Sequence, residues 1–318
     1  MPKKPLKVGF QIDVTQEITI TNSTLPMMEE AQQRGYEVYH ITPENLSCLN
    51  GKVFARGHKA KVDIASPNFI ELGEEIFVPM TFFDVFFVRQ EPFLNTRFFV
   101  NTLLLEKAMD DCWIINNPIS MRNAAEKINF FGLEEYTAPT LISLDKKEIA
   151  KFREEHGEIV IKPLGLYGGS GVFHVSKNDQ NISSIVDSLF EMSKLPVVVQ
   201  KYLPAIKTDG DKRVLMIFGK VVGACTRIPN PDEIVAISSH IEGVYKTVLN
   251  EKEQKLCDKL ALNLHEKGIE IAGIDLIGGH LSEVNFITPG GFFHMRRLYD
   301  IYPEKIMWDK IEEKLCRN

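Results

Sequence analysis

The sequence predicts an α/β fold that begins with a doubly wound, Rossmann-like domain, and three observations carry this. The chain opens strand, helix, strand over residues 6–14, 25–34 and 36–41, which is how a parallel wound unit starts. Two further apolar runs, 84–89 (DVFFVR) and 113–117 (WIINN), flank a helical period over 96–108, so the alternation continues. Past residue 120 the texture changes to short strands joined by glycine-rich turns. With 318 residues the chain can hold two or three domains and bury a large core.

The first strand, LKVGFQIDV, reads as buried and carries Asp13 near its C-terminal end, where open α/β sheets gather ligands. Ser23 or Thr24 is suited to cap the helix over 25–34, and Gly35 ends it. The segment 50–67 reads only as irregular hairpin structure turned at Asn50-Gly51. Residues 123–131 have a helical period that includes Lys127, and Asp145 is suited to cap a helix over 146–155. A strand over 158–163 (EIVIKP) leads into a turn with Gly168 and Gly169, then another strand. This is not a P-loop, because the GxxxxGK[ST] spacing is absent and no helix follows. A glycine hairpin can still fold over phosphates, offering backbone N–H groups to anionic oxygens. It also suits an ordinary turn.

A helix over 182–192 and a strand over 197–200 follow. Gln200, Tyr202 and Leu203 then leave that strand as a connector between lobes. Residues 209–213 read as a turn into a strand over 214–218, which returns over 221–227, so Arg213 and Arg227 share a hairpin. Arginines there suit bidentate clamping of phosphate or carboxylate, and equally suit a solvated surface. Residues 251–267 form an amphipathic helix with Leu256, Leu260 and Leu264 on one face, ended by Gly268. A turn over 288–291 and a helix over 303–315 finish the chain.

Between those helices lies an acidic hairpin, IDLIGGHLSEVN, over 274–285. Strand alternation points Glu283 and Asn285 the same way. A three-residue loop over 278–280 places Asp275 opposite Glu283. A two-residue loop pairs Asp275 with Ser282 and breaks the cluster. Two carboxylates and an amide on one sheet face suit a hard cation such as Mg²⁺. The same spacing suits a hairpin with a solvated acidic face.

Composition narrows the function classes. The formal charge of −6 argues against broad nucleic-acid binding, without excluding a local basic pocket. Five scattered cysteines with no CxxC pair signal neither a zinc site nor a disulfide framework, which fits a reducing, cytoplasmic setting. No apolar stretch approaches the ~20 residues of a membrane span, and no signal-peptide pattern opens the chain.

In this order the features resemble the ATP-grasp superfamily, and within it bacterial glutathione synthetase. The resemblance runs nearly end to end. It rests on EAQQRGYE over 30–37, INNP over 115–118, IKPL over 161–164, YLPAIK over 202–207, GDKR over 210–213, and GIDLIG over 273–278 followed by 281–285. It implies an ATP-grasp fold behind an N-terminal pre-ATP-grasp domain, divided as 1–122, 123–204 and 205–318. It implies an ATP-dependent ligase that joins γ-glutamylcysteine to glycine through an acyl phosphate, with release of ADP and phosphate. Other readings are a ligase for a different carboxylate and amine, or a non-catalytic nucleotide-binding relative.

The roles implied by the resemblance fall as follows. Lys127 and Lys162 contact ATP phosphates, and Gly168 and Gly169 cover them. Gln200, Tyr202 and Leu203 line the adenine pocket, and Asp211 binds the ribose. Asp275, Glu283 and Asn285 hold Mg²⁺, or Mn²⁺ in its place, which requires the three-residue loop. Arg213 and Arg227 are catalytic, stabilising the transferred phosphoryl group. Arg89, Thr288 and Gly290 bind the peptide substrate. The resemblance also implies a cytoplasmic homo-oligomer, a tetramer of identical subunits.

Two stretches depart from the family pattern. Arg89-Gln90-Glu91-Pro92-Phe93 stands where Arg-x-Asp-Pro-Pro is usual. After Arg227-Ile228-Pro229, residues 230–242 hold neither arginine nor glycine, and the nearest basic side chains are His240 and Lys246.

Overall fold

The structure is a computed structural model that describes residues 4–13, 18–91, 94–123, 127, 133–166, 168–230, 233 and 242–316. Its first unit contains β1 (Lys7–Gln11), α1 (Thr24–Gln33), β2 (Glu37–Leu49), β3 (Lys52–Val62), β4 (Ile70–Pro79), β5 (Val85–Val88), α2 (Thr96–Lys107), β6 (Trp113–Ile115) and α3 (Pro118–Asn123). These build a six-stranded sheet in the order β4-β3-β2-β1-β5-β6. The strands β2, β1, β5 and β6 run parallel, as the strand–helix alternation predicts. The antiparallel extension β3–β4 does not emerge from periodicity. The hairpin read over 50–67 turns at Asn50 and Gly51 as expected, with φ of 49° and 83°, but it is regular and not irregular: β2 passes directly into the long strand β3. Two adjacent residues with positive φ give the tight turn whose twist matches that of the strands.

Capping of α1 differs from expectation. Neither Ser23 nor Thr24 caps it through a side chain. Asn22 Oδ1 accepts from the Thr24 N–H at 2.8 Å, while Thr24 Oγ1 is engaged by Arg89. Asp145, by contrast, caps the helix Lys146–His156 as expected, accepting from the Lys147 N–H at 2.7 Å.

The second unit contains β7 (Thr140–Ser143), α4 (Lys146–His156), β8 (Ile159–Pro163), β9 (Phe173–Val175), α5 (Ile182–Ser193) and β10 (Val197–Lys201). Its antiparallel sheet, β7-β10-β8-β9, has its own apolar core of Ile149, Ile161, Leu189 and Val199. The one-turn α6 (Ala205–Thr208) then leads to the third unit: β11 (Asp211–Ile217), β12 (Lys220–Arg227), β13 (Val244–Lys246), α7 (Glu251–Glu266), β14 (Ile271–Ile277), β15 (His280–Asn285), α8 (Phe292–Tyr299) and α9 (Pro303–Leu315). Here the sheet order is β13-β12-β11-β14-β15, antiparallel throughout.

The first and third sheets share their cores. One cluster joins Phe86 and Leu105 to Leu260 and Leu276, and another joins Met28 and Phe87 to Met295 and Trp308. The indole of Trp308 on α9 donates to the Met27 carbonyl at 2.9 Å, which ties the last helix to the first. The second sheet is therefore the separately cored body. Of the helix read over 123–131, only Asn123 and Lys127 are described. Of the loop over 230–242, including His240, only Asn230, Glu233 and Glu242 are described. Lys246 lies on β13 with its ammonium 5.3 Å from the Tyr299 ring centre.

Candidate active site

The third sheet places its charges through register. Of the turn read over 209–213, residues 211–213 are already strand, so Asp211 and Arg213 sit two apart on β11 and face the same way. Arg227 on β12 lies opposite Asp211, and Asp275 on β14 lies opposite Arg213. Glu283 on β15 lies opposite Asp275, and Asn285 opposite Gly273. Strands far apart in sequence thus bring six polar side chains to one sheet face.

The hairpin reaches this arrangement by a different route from the expected three-residue loop. Ile277 pairs with His280, so the loop is the two residues Gly278 and Gly279. Both have positive φ, 56° and 78°, the geometry of a two-residue hairpin turn. The extra residue appears as a bulge: Leu276 pairs with Leu281, Asp275 pairs with Glu283, and Ser282 is the surplus. A bulge resets the alternation by one residue. The cluster survives a short turn because Ser282 absorbs the offset.

Asp275 is saturated with donors. Arg213 Nε donates to Oδ1 at 2.5 Å and its Nη2 to Oδ2 at 2.9 Å. Arg227 Nη2 lies 2.9 Å from Oδ1, and Asn285 Nδ2 donates to Oδ2 at 3.1 Å. Burial acts to raise the Asp275 carboxyl, but the two guanidiniums outweigh it and hold it down to about 2. Arg227 also pairs with Asp211 Oδ2. Burial pushes the Asp211 carboxyl up to about 7 against that pull. Its second oxygen, Oδ1, is buried without a hydrogen-bond partner among the described residues.

The second sheet supplies the facing wall. Lys162 on β8 donates to Ser282 Oγ at 3.2 Å and stands 3.6 Å from Glu283 Oε1. Lys127 donates to the Pro163 carbonyl at 3.0 Å and to that of Leu166. Gln200 turns its side-chain amide to Thr140 Oγ1 at 3.1 Å, and the Tyr202 ring stacks on His174 at 4.1 Å. A cavity runs between the two sheets. One wall has Lys127, Lys162, Gly168 and Gly169, and Gln200, Tyr202 and Leu203 form another. Asp211, Arg213, Arg227, Asp275, Glu283 and Asn285 form its floor, with apolar lining from Leu94, Val160, Leu164, Ile206, Leu281 and Ile287. Sequence reasoning missed these apolar residues and Ser282. Nothing in the local pattern distinguishes such leucines from core, and the bulge that sets Glu283 beside Ser282 on the cavity side depends on pairing.

Arg89, Thr288 and Gly290 do not line this cavity. They lie beside it, at the ends of β1 and β5. Buried Arg89 donates from Nε to Thr24 Oγ1 and from Nη2 to the Pro289 carbonyl, both at 3.0 Å. Thr288 Oγ1 donates to the Gln90 carbonyl, and Arg213 Nη1 reaches the Gly290 carbonyl at 3.4 Å. Burial pushes the Arg89 guanidinium down to about 9.

Among the described residues, no three His, Cys, Asp or Glu side chains gather at metal-binding range. Of the floor residues, Asp275, Glu283 and Asn285 offer two carboxylates and an amide oxygen, all hard donors that fit a Mg²⁺-like cation. Glu283 has the more open carboxylate, since its recorded partner is Lys162 at 3.6 Å.

Comparison with known proteins places the chain in a family. Residues 6–122 match the family described as Prokaryotic glutathione synthetase, N-terminal domain, and residues 126–300 match Prokaryotic glutathione synthetase, ATP-grasp domain. The chain is 37% identical to a glutathione synthetase of Rhodopseudomonas palustris, over 97% of this chain and 99% of that one. It is 33% identical to one of Mesorhizobium japonicum, again over 97% and 99%. Among solved structures, D-alanyl-alanine synthetase A from Vibrio cholerae superposes with a TM-score of 0.64 at 14% identity, covering 99% of each chain. The D-cycloserine synthetase DcsG superposes with a TM-score of 0.64 at 15% identity, covering 89% of this chain and 92% of that one. These two likenesses show the fold.

Proposed function

The chain belongs to the prokaryotic glutathione synthetase family, and from that premise we propose that it joins γ-glutamylcysteine to glycine at the cavity between its second and third sheets. It is an ATP-dependent ligase with the ATP-grasp fold. The observation that carries the site reading is the row Arg227, Asp211, Arg213, Asp275, Glu283 across one sheet face, with Lys162 and Lys127 opposite.

A carboxylate is a poor electrophile, so it first attacks the γ-phosphorus of ATP and ADP leaves. The amine then attacks the acyl phosphate carbonyl and phosphate leaves, giving the amide. Phosphoryl transfer needs positioning and charge neutralisation. In this reading Lys127 and Lys162 hold phosphates beneath Gly168 and Gly169. Arg213 and Arg227 stabilise the transferred group. The connector residues Gln200, Tyr202 and Leu203 take the adenine. Asp211 takes the ribose, and its Oδ1, without a hydrogen-bond partner among the described residues, is suited to a hydroxyl donor. Asp275, Glu283 and Asn285 hold Mg²⁺ or Mn²⁺, which supplies charge neutralisation across the phosphates. Arg89 shapes the turn that carries Thr288 and Gly290, and the three together bind the peptide substrate.

The same reading makes the protein a cytoplasmic homo-oligomer, a tetramer, with domains over 1–122, 123–204 and 205–318. Among the described residues no helix is long and apolar enough to cross a membrane.

The test is ADP release with ATP and Mg²⁺, comparing γ-glutamylcysteine plus glycine with other carboxylate–amine pairs. ADP release with γ-glutamylcysteine and glycine is the expected result. ATP binding without ADP release on that pair, and release on another, overturns the substrate assignment. The altered segment at 89–93 makes the comparison with other pairs informative.

A further inference from the structure

Strict alternation from buried Leu281 would send Ser282 to the cavity and turn Glu283 and Asn285 toward the apolar core. The bulge makes Ser282 and Glu283 consecutive residues on the cavity side. Both then meet the same partner from the opposite sheet. Lys162 Nζ is 3.2 Å from Ser282 Oγ and 3.6 Å from Glu283 Oε1, and Lys162 and Ser282 are each 9% exposed. The ammonium is therefore hydrogen-bonded to the neutral oxygen and stands slightly off the charged one.

We propose that Ser282 is a positioning residue whose hydroxyl holds the Lys162 ammonium off Glu283, which keeps the ammonium available to a nucleotide phosphate and the carboxylate available to a cation. The proposal rests on the nucleotide reading of the cavity. Its physical basis is competition. Without the hydroxyl, the nearest acceptor for Lys162 is Glu283, and with little solvent around them the ammonium and carboxylate attract as opposite charges, which the ammonium's bond to an uncharged hydroxyl does not match. A phosphate that needs Lys162 must then break that pair. Ser282 thus acts through Lys162 and touches neither reacting atom.

Calorimetric titration of ADP without divalent cation tests this on the full chain, with thermal unfolding confirming that each variant is folded. Ser282→Ala is expected to weaken ADP binding about tenfold, while Ser282→Thr, which keeps the hydroxyl, binds as the unaltered protein does. In a Glu283→Gln background the competing carboxylate is gone, so adding Ser282→Ala is expected to change ADP affinity less than about twofold. An equal loss in both backgrounds shows that Ser282 acts by packing or direct contact and overturns the proposal. So does unchanged affinity in Ser282→Ala, or a loss in Ser282→Thr as large as in Ser282→Ala. Absence of ADP binding by the unaltered protein overturns the nucleotide reading and this proposal with it.

Discussion

Arg213 and Asp275 are joined across β11 and β14 by two parallel hydrogen bonds, at 2.5 and 2.9 Å, with both side chains buried. Arg227 adds a third contact to the same carboxylate. Asp275 is thus a structural counter-charge for two guanidiniums as well as a candidate cation ligand. Removing one member of a buried charge cluster leaves the others uncompensated, at a cost of about 3–5 kcal/mol. Asp275→Asn is expected to destabilise the fold by that order in chemical denaturation, besides abolishing turnover. The lowered pKa sets the pH dependence. The carboxyl is held below its unfolded value, so its contribution is complete above about pH 4 and is lost as pH falls toward about 2. The stability difference between Asp275→Asn and the unaltered protein should shrink over that window. A difference independent of pH down to 2 counts against the ion-pair account.

Glu283→Gln separates the two roles. Glu283 is half-buried, and its recorded partner is Lys162 at 3.6 Å, so the substitution strands no buried guanidinium. Stability is expected to change by no more than about 0.5 kcal/mol, while turnover falls about 100-fold through loss of a charged ligand in the site. Unchanged turnover at saturating metal and ATP removes Glu283 from the cation site.

Much of the architecture is legible in the sequence because it is local. The helix read over 251–267 forms as α7 (Glu251–Glu266), with Asn250 and Glu253 making a reciprocal capping box, and α9 has the expected bounds. Apolar runs such as VGF and VFFV announce the parallel strands. The hairpin β3–β4 is not legible in this way, because β4 lies at a sheet edge and is mostly exposed, so no buried face imprints a pattern. Helix α8 escapes notice as well, being eight residues long and directly after Gly290-Gly291. At the site, residue types and their order are legible through resemblance. The pairing of Arg213 with Asp275 is not, because it depends on register between strands 62 positions apart. The bulge at Ser282 is set by pairing too, which is why turn length alone misjudges the hairpin.

Arg89→Met tests the wall beside the cavity. Arg89 is fully engaged with Thr24 and the Pro289 carbonyl, and burial alone accounts for its lowered pKa. Loss of the guanidinium releases the turn that carries Thr288 and Gly290, which lies beside the cavity but outside its lining. The expected result in steady-state kinetics is a KM for γ-glutamylcysteine raised about tenfold, with the KM for ATP nearly unchanged. A rise in the ATP KM alone contradicts the placement of Arg89 at the peptide side.

Glu304→Gln provides a prediction away from the cavity. Glu304 begins α9, is 3% exposed, and has Oε2 buried without a hydrogen-bond partner among the described residues. Its other oxygen is 3.6 Å from Arg296 Nε. Burial raises its pKa, the Arg296 charge works against that, and nearby Glu30 adds to it. A carboxyl whose folded pKa is raised weakens the fold as pH climbs from the unfolded value, about 4.3, through the folded one. The neutral amide removes that penalty and offers a donor in the same volume. Glu304→Gln is expected to gain about 1 kcal/mol near pH 7.5, with the gain vanishing as pH falls below about 4 and with ATP-dependent turnover unchanged. A loss of stability at pH 7.5 shows that the contact with Arg296 outweighs the burial of the charge.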